Sequence, residues 1–320
     1  MMTKQRPFRF GVINERTHPP DMWVRHVRDI EDYGYATFLI RDHFAPDYFG
    51  DQFAPVAALM TAANVTQRLR VGSMVFDNDY RHPVLLAKEA ATLDLLSGGR
   101  FELGIGAGWL RSEYEQAGIA FDAPGVRISR LEEAIRVLKG LFADPPLTFS
   151  GNHYTITGLS GFPKPIQRPH PPILIGAGQK RMLTLAGREA DIVGILTSSV
   201  ASGTLSGDPT ERLATTVAQK VEWVRQGAGE RFHEIELSLV PSVTITDQRQ
   251  QRTEQLIRER GWAGIAVADV WEMPSMFIGS VDQIIEDLEA RRERYGFSYY
   301  VISDDTIEEF APIVARLTGK

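Results

Sequence analysis

The sequence has no cysteine in 320 residues, which removes disulfide scaffolds, Cys-ligated zinc, iron–sulfur clusters and thiolate catalysis together. It also lacks any excess of positive charge: 35 Lys and Arg stand against 41 Asp and Glu, a formal net charge of −6. Such a mildly acidic surface offers no global attraction to nucleic acid or to an anionic membrane, and neither is expected as a partner. Nothing approaches the roughly 18 consecutive apolar residues of a membrane span. The opening Met1-Met2-Thr3-Lys4-Gln5-Arg6-Pro7 enters a strand-like segment without an apolar signal region, and the expectation is a cytoplasmic protein. The seven histidines form no His-x-His and no His-Glu-x-x-His, so no metal site is expected. A Gly-x-Ser-x-Gly nucleophile turn and a Gly-x-x-x-x-Gly-Lys phosphate loop are absent as well.

What is present is alternation. Strand-like runs fall at Phe8–Ile13, Ala36–Ile40, Leu69–Phe76, Arg100–Ile105, Ile173–Ile175, Asp191–Leu196, Ile235–Val243 and Ser298–Ser303. Segments of helical period lie near 21–33, 54–65, 83–97, 129–143, 179–189, 210–227, 248–260 and 280–295, the last of them before the final strand. Ser129 with Glu132 and Ser280 with Gln283 read as capping boxes that start helices. The strands are continuous apolar runs, as expected when helices cover one side and a packed interior the other. Eight such units predict an α/β fold, a closed (β/α)₈ TIM barrel forming a single domain over 1–320. A minimal barrel uses about 250 residues; the surplus falls in inserted connections at about 109–128, 144–172, 197–209 and 261–279. Three of these flank strand ends and are expected to build the substrate pocket.

In such a barrel the catalytic groups gather just after the strands. Glu15 follows the first. After the second, Phe38-Leu39-Ile40 gives way to Arg41-Asp42-His43-Phe44, where a carboxylate and an imidazole can orient each other or bind a ligand, or serve as a cap and a packed ring. After the fourth, Gly104, Gly106 and Gly108 alternate, which would let a ligand approach the backbone. Their spacing is not the dinucleotide fingerprint, and a Rossmann domain is disfavoured. After the fifth, Gly176-Ala177-Gly178 precedes a helix and offers either a tight turn or a backbone anion site. A mouth of glycine-lined backbone and a few polar groups suits an organic cofactor that carries its own reactivity.

Several blocks together resemble the luciferase-like monooxygenase superfamily, and most closely its branch using the 5-deazaflavin coenzyme F420. They are Ile40–Phe44, Tyr80–Pro83 running through Ala87–Arg100, Leu103–Trp109 and Pro172–Gly178. The resemblance covers about 8–305 and implies the same bacterial luciferase-like barrel. It implies that Asp42 contacts the deazaflavin ring and that His43 donates or accepts a proton. It also implies a non-proline cis peptide at Met74–Val75 pressing on the ring, and cofactor phosphate held by the backbone of Ala107, Gly108, Gly176, Ala177 and Gly178. Arg111, Lys180 and Arg181 stand near enough in sequence to meet an acidic cofactor tail. Sugar-phosphate dehydrogenases of that branch have a glutamate where this chain has Trp109, and a lysine soon after the sixth strand, where this chain reads Leu196-Thr197-Ser198-Ser199-Val200. A sugar phosphate is therefore not expected; Trp109 would offer a flat apolar wall to a small, less charged substrate, with Glu15 beside the pocket.

The function expected is F420-dependent (8-hydroxy-5-deazaflavin) hydride transfer. The alternatives are an FMN-dependent monooxygenase fed with reduced flavin by a partner reductase, and a non-catalytic flavin-binding barrel. Relatives point to a homodimer, with an interface on the helices near 54–65 and 83–97.

Overall fold

The computed structural model describes residues 5–46, 49–200 and 203–320; 1–4 of the opening segment and 201–202 of the 197–209 connection lie outside the described residues. Eight parallel strands form the barrel: β1 (Arg9–Asn14), β2 (Thr37–Ile40), β3 (Arg70–Ser73), β4 (Phe101–Gly106), β5 (Ile173–Ala177), β6 (Ile192–Ile195), β7 (Glu236–Leu239) and β8 (Phe297–Ser303). Each pairs with its sequence neighbour, β8 pairs with β1 through Phe10↔Tyr300 and Val12↔Ile302, and β3 pairs with β4 through Val71↔Phe101, so the sheet closes. Helices α1 (Pro20–Asp32), α2 (Pro55–Val65), α3 (Pro83–Leu96), α4 (Pro124–Phe142), α5 (Lys180–Glu189), α6 (Ala214–Ala228), α7 (Val281–Tyr295) and α8 (Ile307–Leu317) surround it.

Apolar side chains on the outer face of the strands, such as Phe10, Val12, Phe38 and Leu103, form one large core with the helices. Those on the inner face, Ile13, Leu39, Leu174, Ile192, Tyr299 and Val301, form a second, with Met74 and Val75 packed half-buried against it. The barrel is thus filled, as its strand pattern requires.

Several boundaries differ from the sequence expectation. Helix α4 begins at Pro124, five residues before Ser129. Ser129 therefore lies inside the helix, where its hydroxyl meets Val126 O and His153 Nε2, and it caps nothing. Pro124 at the first helical position, where its missing N–H costs no bond, sets the true start. At Ser280 the expected box is present: its amide donates to Gln283 Oε1 and its Oγ accepts from the Gln283 amide. The Ile235–Val243 run is two strands. Its second half, Ser242–Ile245, leaves the barrel and pairs in parallel with Met276–Gly279. The Leu69–Phe76 run is broken at Met74–Val75, beyond which Phe76–Asp77 resumes pairing with β4. Helix α8 follows the last strand, whereas the sequence reading ended its helices before it; Pro312 inside this helix obscures the period carried by Phe310, Ile313, Val314 and Leu317.

The surplus length has local structure. A short helix, Arg111–Ala117, follows β4, and an antiparallel hairpin, Leu147–Ser150 with Thr155–Leu159, precedes the proline-rich segment. The Glu133 carboxylate ties the hairpin turn down by accepting from the amides of Asn152, His153 and Tyr154. Helices Arg249–Glu259 and Val267–Glu272 fill the long β7-to-α7 connection.

Candidate active site

The C-terminal ends of β1 to β5 bring most of the sequence-selected residues to one rim. Directly after β2, Asp42 is buried, and both of its carboxylate oxygens are engaged. Arg81 bonds Oδ2 at 2.5 Å and Oδ1 at 3.1 Å, and the Asp77 amide donates to Oδ2 at 3.0 Å. His43 is half-buried beside it, with its ring 5.9 Å and edge-on from Trp109 and 5.2 Å from Phe49. Glu15 forms an ion pair with Arg41 at 2.7 Å, and Arg41 in turn covers the face of Phe49. Glu15, His43 and Trp109 therefore share one side of the mouth.

The group that organises this side is Glu113, on the short helix after β4. Its Oε2 lies 2.9 Å from His43 Nδ1 and accepts the Tyr80 hydroxyl at 2.7 Å, while its Oε1 accepts the amides of Phe44 and Ala45. Burial by itself would raise this carboxyl, but the hydrogen bonds from His43, the Ala45 amide and Tyr80 outweigh it and hold the group below the usual carboxylate range. An ionised carboxylate only accepts, so His43 Nδ1 must carry the hydrogen and Nε2 is the ring nitrogen left to exchange a proton. Glu113 was not among the sequence candidates. The signal for it was available: Leu110, Glu113 and Tyr114 stand at i, i+3 and i+4, which puts a carboxylate on the buried face of a helical turn.

Asp77, buried at the end of the β3 segment, accepts both the Tyr114 hydroxyl, 2.8 Å from each oxygen, and the Asp79 amide. Burial, reinforced by the nearby carboxylates of Asp79 and Asp42, pushes it up to about 7 against those hydrogen bonds. Burial raises the Tyr80 and Tyr114 phenols as well, so both remain hydrogen-bond donors.

The peptide bond between Met74 and Val75 is cis. Two of the three alternate glycines after it do not leave room for a ligand as expected. A Cβ on Gly104 would collide with the Ser73 carbonyl, and one on Gly106 would come within 2.8 Å of Val75 Cγ2, so the missing side chains make room for the neighbouring β3 segment. Gly108 has φ +71, and a Cβ there would strike the Tyr114 hydroxyl. Gly176 is more open, a Cβ meeting nothing nearer than Val75 at 3.7 Å. Helix α5 starts two residues after Gly178, at Lys180; the side chain of Gln179, which precedes it, makes no capping bond, and the first-turn amides are available to an anion. Of the three cations expected near a cofactor tail, Arg111 lies over the ring of Phe121 and 3.8 Å from Glu115, Lys180 opens α5, and the Arg181 guanidinium comes near Gly125 at the start of α4. The fold also brings a cation that the linear sequence hid. Arg212 reaches back to the hydroxyls of Thr197 and Ser198 after β6, at 3.3 and 3.0 Å.

Residues 6–300 match the family model for luciferase-like monooxygenases. The chain belongs to the luciferase-like monooxygenase family. Among relatives, an FMNH(2)-dependent dimethylsulfone monooxygenase of Pseudomonas putida is 31% identical over 162 residues, 50% of this chain and 44% of that protein. An F420-dependent glucose-6-phosphate dehydrogenase of Kineococcus radiotolerans is 34% identical over 164 residues, 50% of this chain and 48% of that protein. The match thus spans about half the length of these curated relatives. Within the family fold, a solved F420-dependent secondary alcohol dehydrogenase in complex with an F420–acetone adduct superposes with a TM-score of 0.76, at 17% identity, over 97% of this chain and 99% of its own. No described helix is long and apolar enough to cross a membrane.

Proposed function

We propose that this luciferase-like barrel is an oxidoreductase that uses the deazaflavin coenzyme F420 to move a hydride to or from a small organic substrate. The observation that carries the reading is the His43–Glu113 pair, a ring nitrogen held in one tautomer at the rim of an apolar floor. That floor fits a flat ring: Met74 and Val75 lie over Ile13, Leu39, Leu174, Tyr299 and Val301. The more open turn at Gly176-Ala177-Gly178 and the uncapped start of α5 fit a phosphate-bearing tail, with Ala107 and Gly108 following the adjacent strand β4. Asp42 would act on the ring through the arrangement it fixes with Arg81 and the Asp77 amide. When bound, the deazaflavin supplies or accepts a hydride at C5. His43 Nε2 takes the proton released when the substrate is oxidised and returns it when the substrate is reduced. Glu113 stabilises the charge the ring then carries, and Trp109 shields that side from water.

An FMN-dependent monooxygenase supplied by a partner reductase is the second reading, favoured by the FMNH(2)-dependent relative. The same floor would hold either ring. Exposed Leu85, Leu95 and Leu96 on α3 support a homodimer. Spectral titration of the cofactor-free protein with oxidised deazaflavin and FMN side by side tests the proposal. Saturable deazaflavin binding at micromolar or tighter affinity, with turnover on adding a substrate, is the expected outcome. Tight FMN binding without deazaflavin binding, together with oxygen consumption on adding reduced FMN, would replace it with the second reading.

A further inference from the structure

We propose that His18, His26 and Asp304 form a site for one divalent transition-metal ion, such as zinc, that fastens the seam where β8 meets β1. The three residues come from separate elements: His18 from the β1-to-α1 connection, His26 from α1, and Asp304 from the residue after β8. His26 Nε2 lies 3.7 Å and His18 Nε2 4.0 Å from Asp304 Oδ2. One donor atom from each residue falls within 4.8 Å of the other two.

Both Nε2 atoms and Asp304 Oδ1 are buried without a hydrogen-bond partner, and the Asp304 side chain is only 3% exposed. Buried polar atoms are ordinarily paired, so two orphaned imidazole nitrogens facing Asp304 Oδ2, with Oδ1 of the same carboxylate also unpartnered, indicate a missing partner. A cation bound by the Nε2 lone pairs of both imidazoles and by the carboxylate would satisfy the three side chains together. Two imidazoles and a carboxylate are a recurrent donor set for zinc, with a fourth position open to water. Bonds of about 2.0–2.1 Å would place neighbouring ligand atoms about 3.3 Å apart, so the present gaps close by modest side-chain rotation. An outer contact is already present, since the Glu15 amide donates to Asp304 Oδ2 at 3.2 Å. The nearby Arg16 cation is paired with Asp305. No linear motif announces the site, because its residues meet only when the barrel closes.

The test is calorimetric titration of the tag-free, chelator-stripped full chain with zinc chloride, followed by thermal unfolding with and without zinc. One equivalent should bind at micromolar or tighter affinity and raise the unfolding midpoint. His26→Gln and Asp304→Asn should each weaken binding by about tenfold or more and abolish the thermal shift. Their far-UV circular dichroism checks that each has folded, and His18→Gln, on a connection, gives an independent loss-of-ligand variant. Absence of saturable binding by the folded wild-type chain would overturn the proposal, as would undiminished binding by the folded variants, which would assign the zinc to surface histidines such as the exposed His233.

Discussion

The two ends of the barrel both bury charge, but they balance it differently. At the N-terminal end Arg9 sits between Glu102 at 2.5 Å and Glu236 at 2.6 Å, stacks on the ring of Tyr299, and shares Glu102 with Arg70 at 2.7 Å. Burial would raise the Glu102 carboxyl, yet Arg9 and Arg70 hold it below the ordinary range. At the C-terminal mouth Asp42 and Asp79 have Arg81 and Arg130, but Asp77 makes no ion pair among the described residues and relies on a phenol and an amide. Charge matched in this way fixes a structure. The mouth keeps a carboxyl that titrates near 7 and a histidine with one nitrogen left to react, which suits chemistry and costs stability.

Substitutions at each end sharpen this contrast. The largest effect is expected at the mouth: His43→Gln should lower turnover by about 10²–10⁴-fold while the unfolding midpoint changes little. Glu113→Gln should have a smaller effect, and it should also move the pH dependence of turnover, which a purely structural defect would not. At the N-terminal end, Glu102→Ala should cost about 3–5 kcal/mol, measured by denaturant unfolding, because it strands Arg9 and Arg70; cofactor affinity of the folded fraction should be unchanged. If Glu102→Ala instead abolished cofactor binding at full stability, the division between the two ends would fail. The smallest effect concerns pH. Because the folded-state Asp77 is raised from an ordinary 3.8 to about 7, the folded protein holds more protons than the unfolded chain between those values, and stability must fall as pH rises through that window. Asp77→Asn should flatten this part of the stability profile, so that its midpoint gains on the wild type from pH 5 to pH 8. Parallel profiles for the two proteins would show that Asp77 does not titrate there.

Much of the architecture could be read from residue order alone. All eight barrel strands overlap the expected runs because those runs are short and apolar, four of them extending one or two residues past the expected bounds, and Ser280 with Gln283 capped its helix because nothing upstream competed for the start. Ser129 with Glu132 carried the same pattern and failed because Pro124 had already begun the helix. His43, Glu15 and Trp109 were legible as residues following strands, and they do share one side of the mouth. Glu113 was passed over because one glutamate on a short helix resembles a solvated one unless its apolar neighbours are placed on the same face.

The sequence by itself determined the period, the number of β-α units and the places where polar groups follow apolar strands, since these depend on residues a few positions apart. Only the tertiary structure decided which carboxylate holds His43, that β3 fills the space at Gly104 and Gly106, that Arg212 returns to the loop after β6, and that His18 and His26 meet Asp304. Each of these joins residues distant in sequence through burial, and burial fixes both the partners available and the direction in which a charge is shifted.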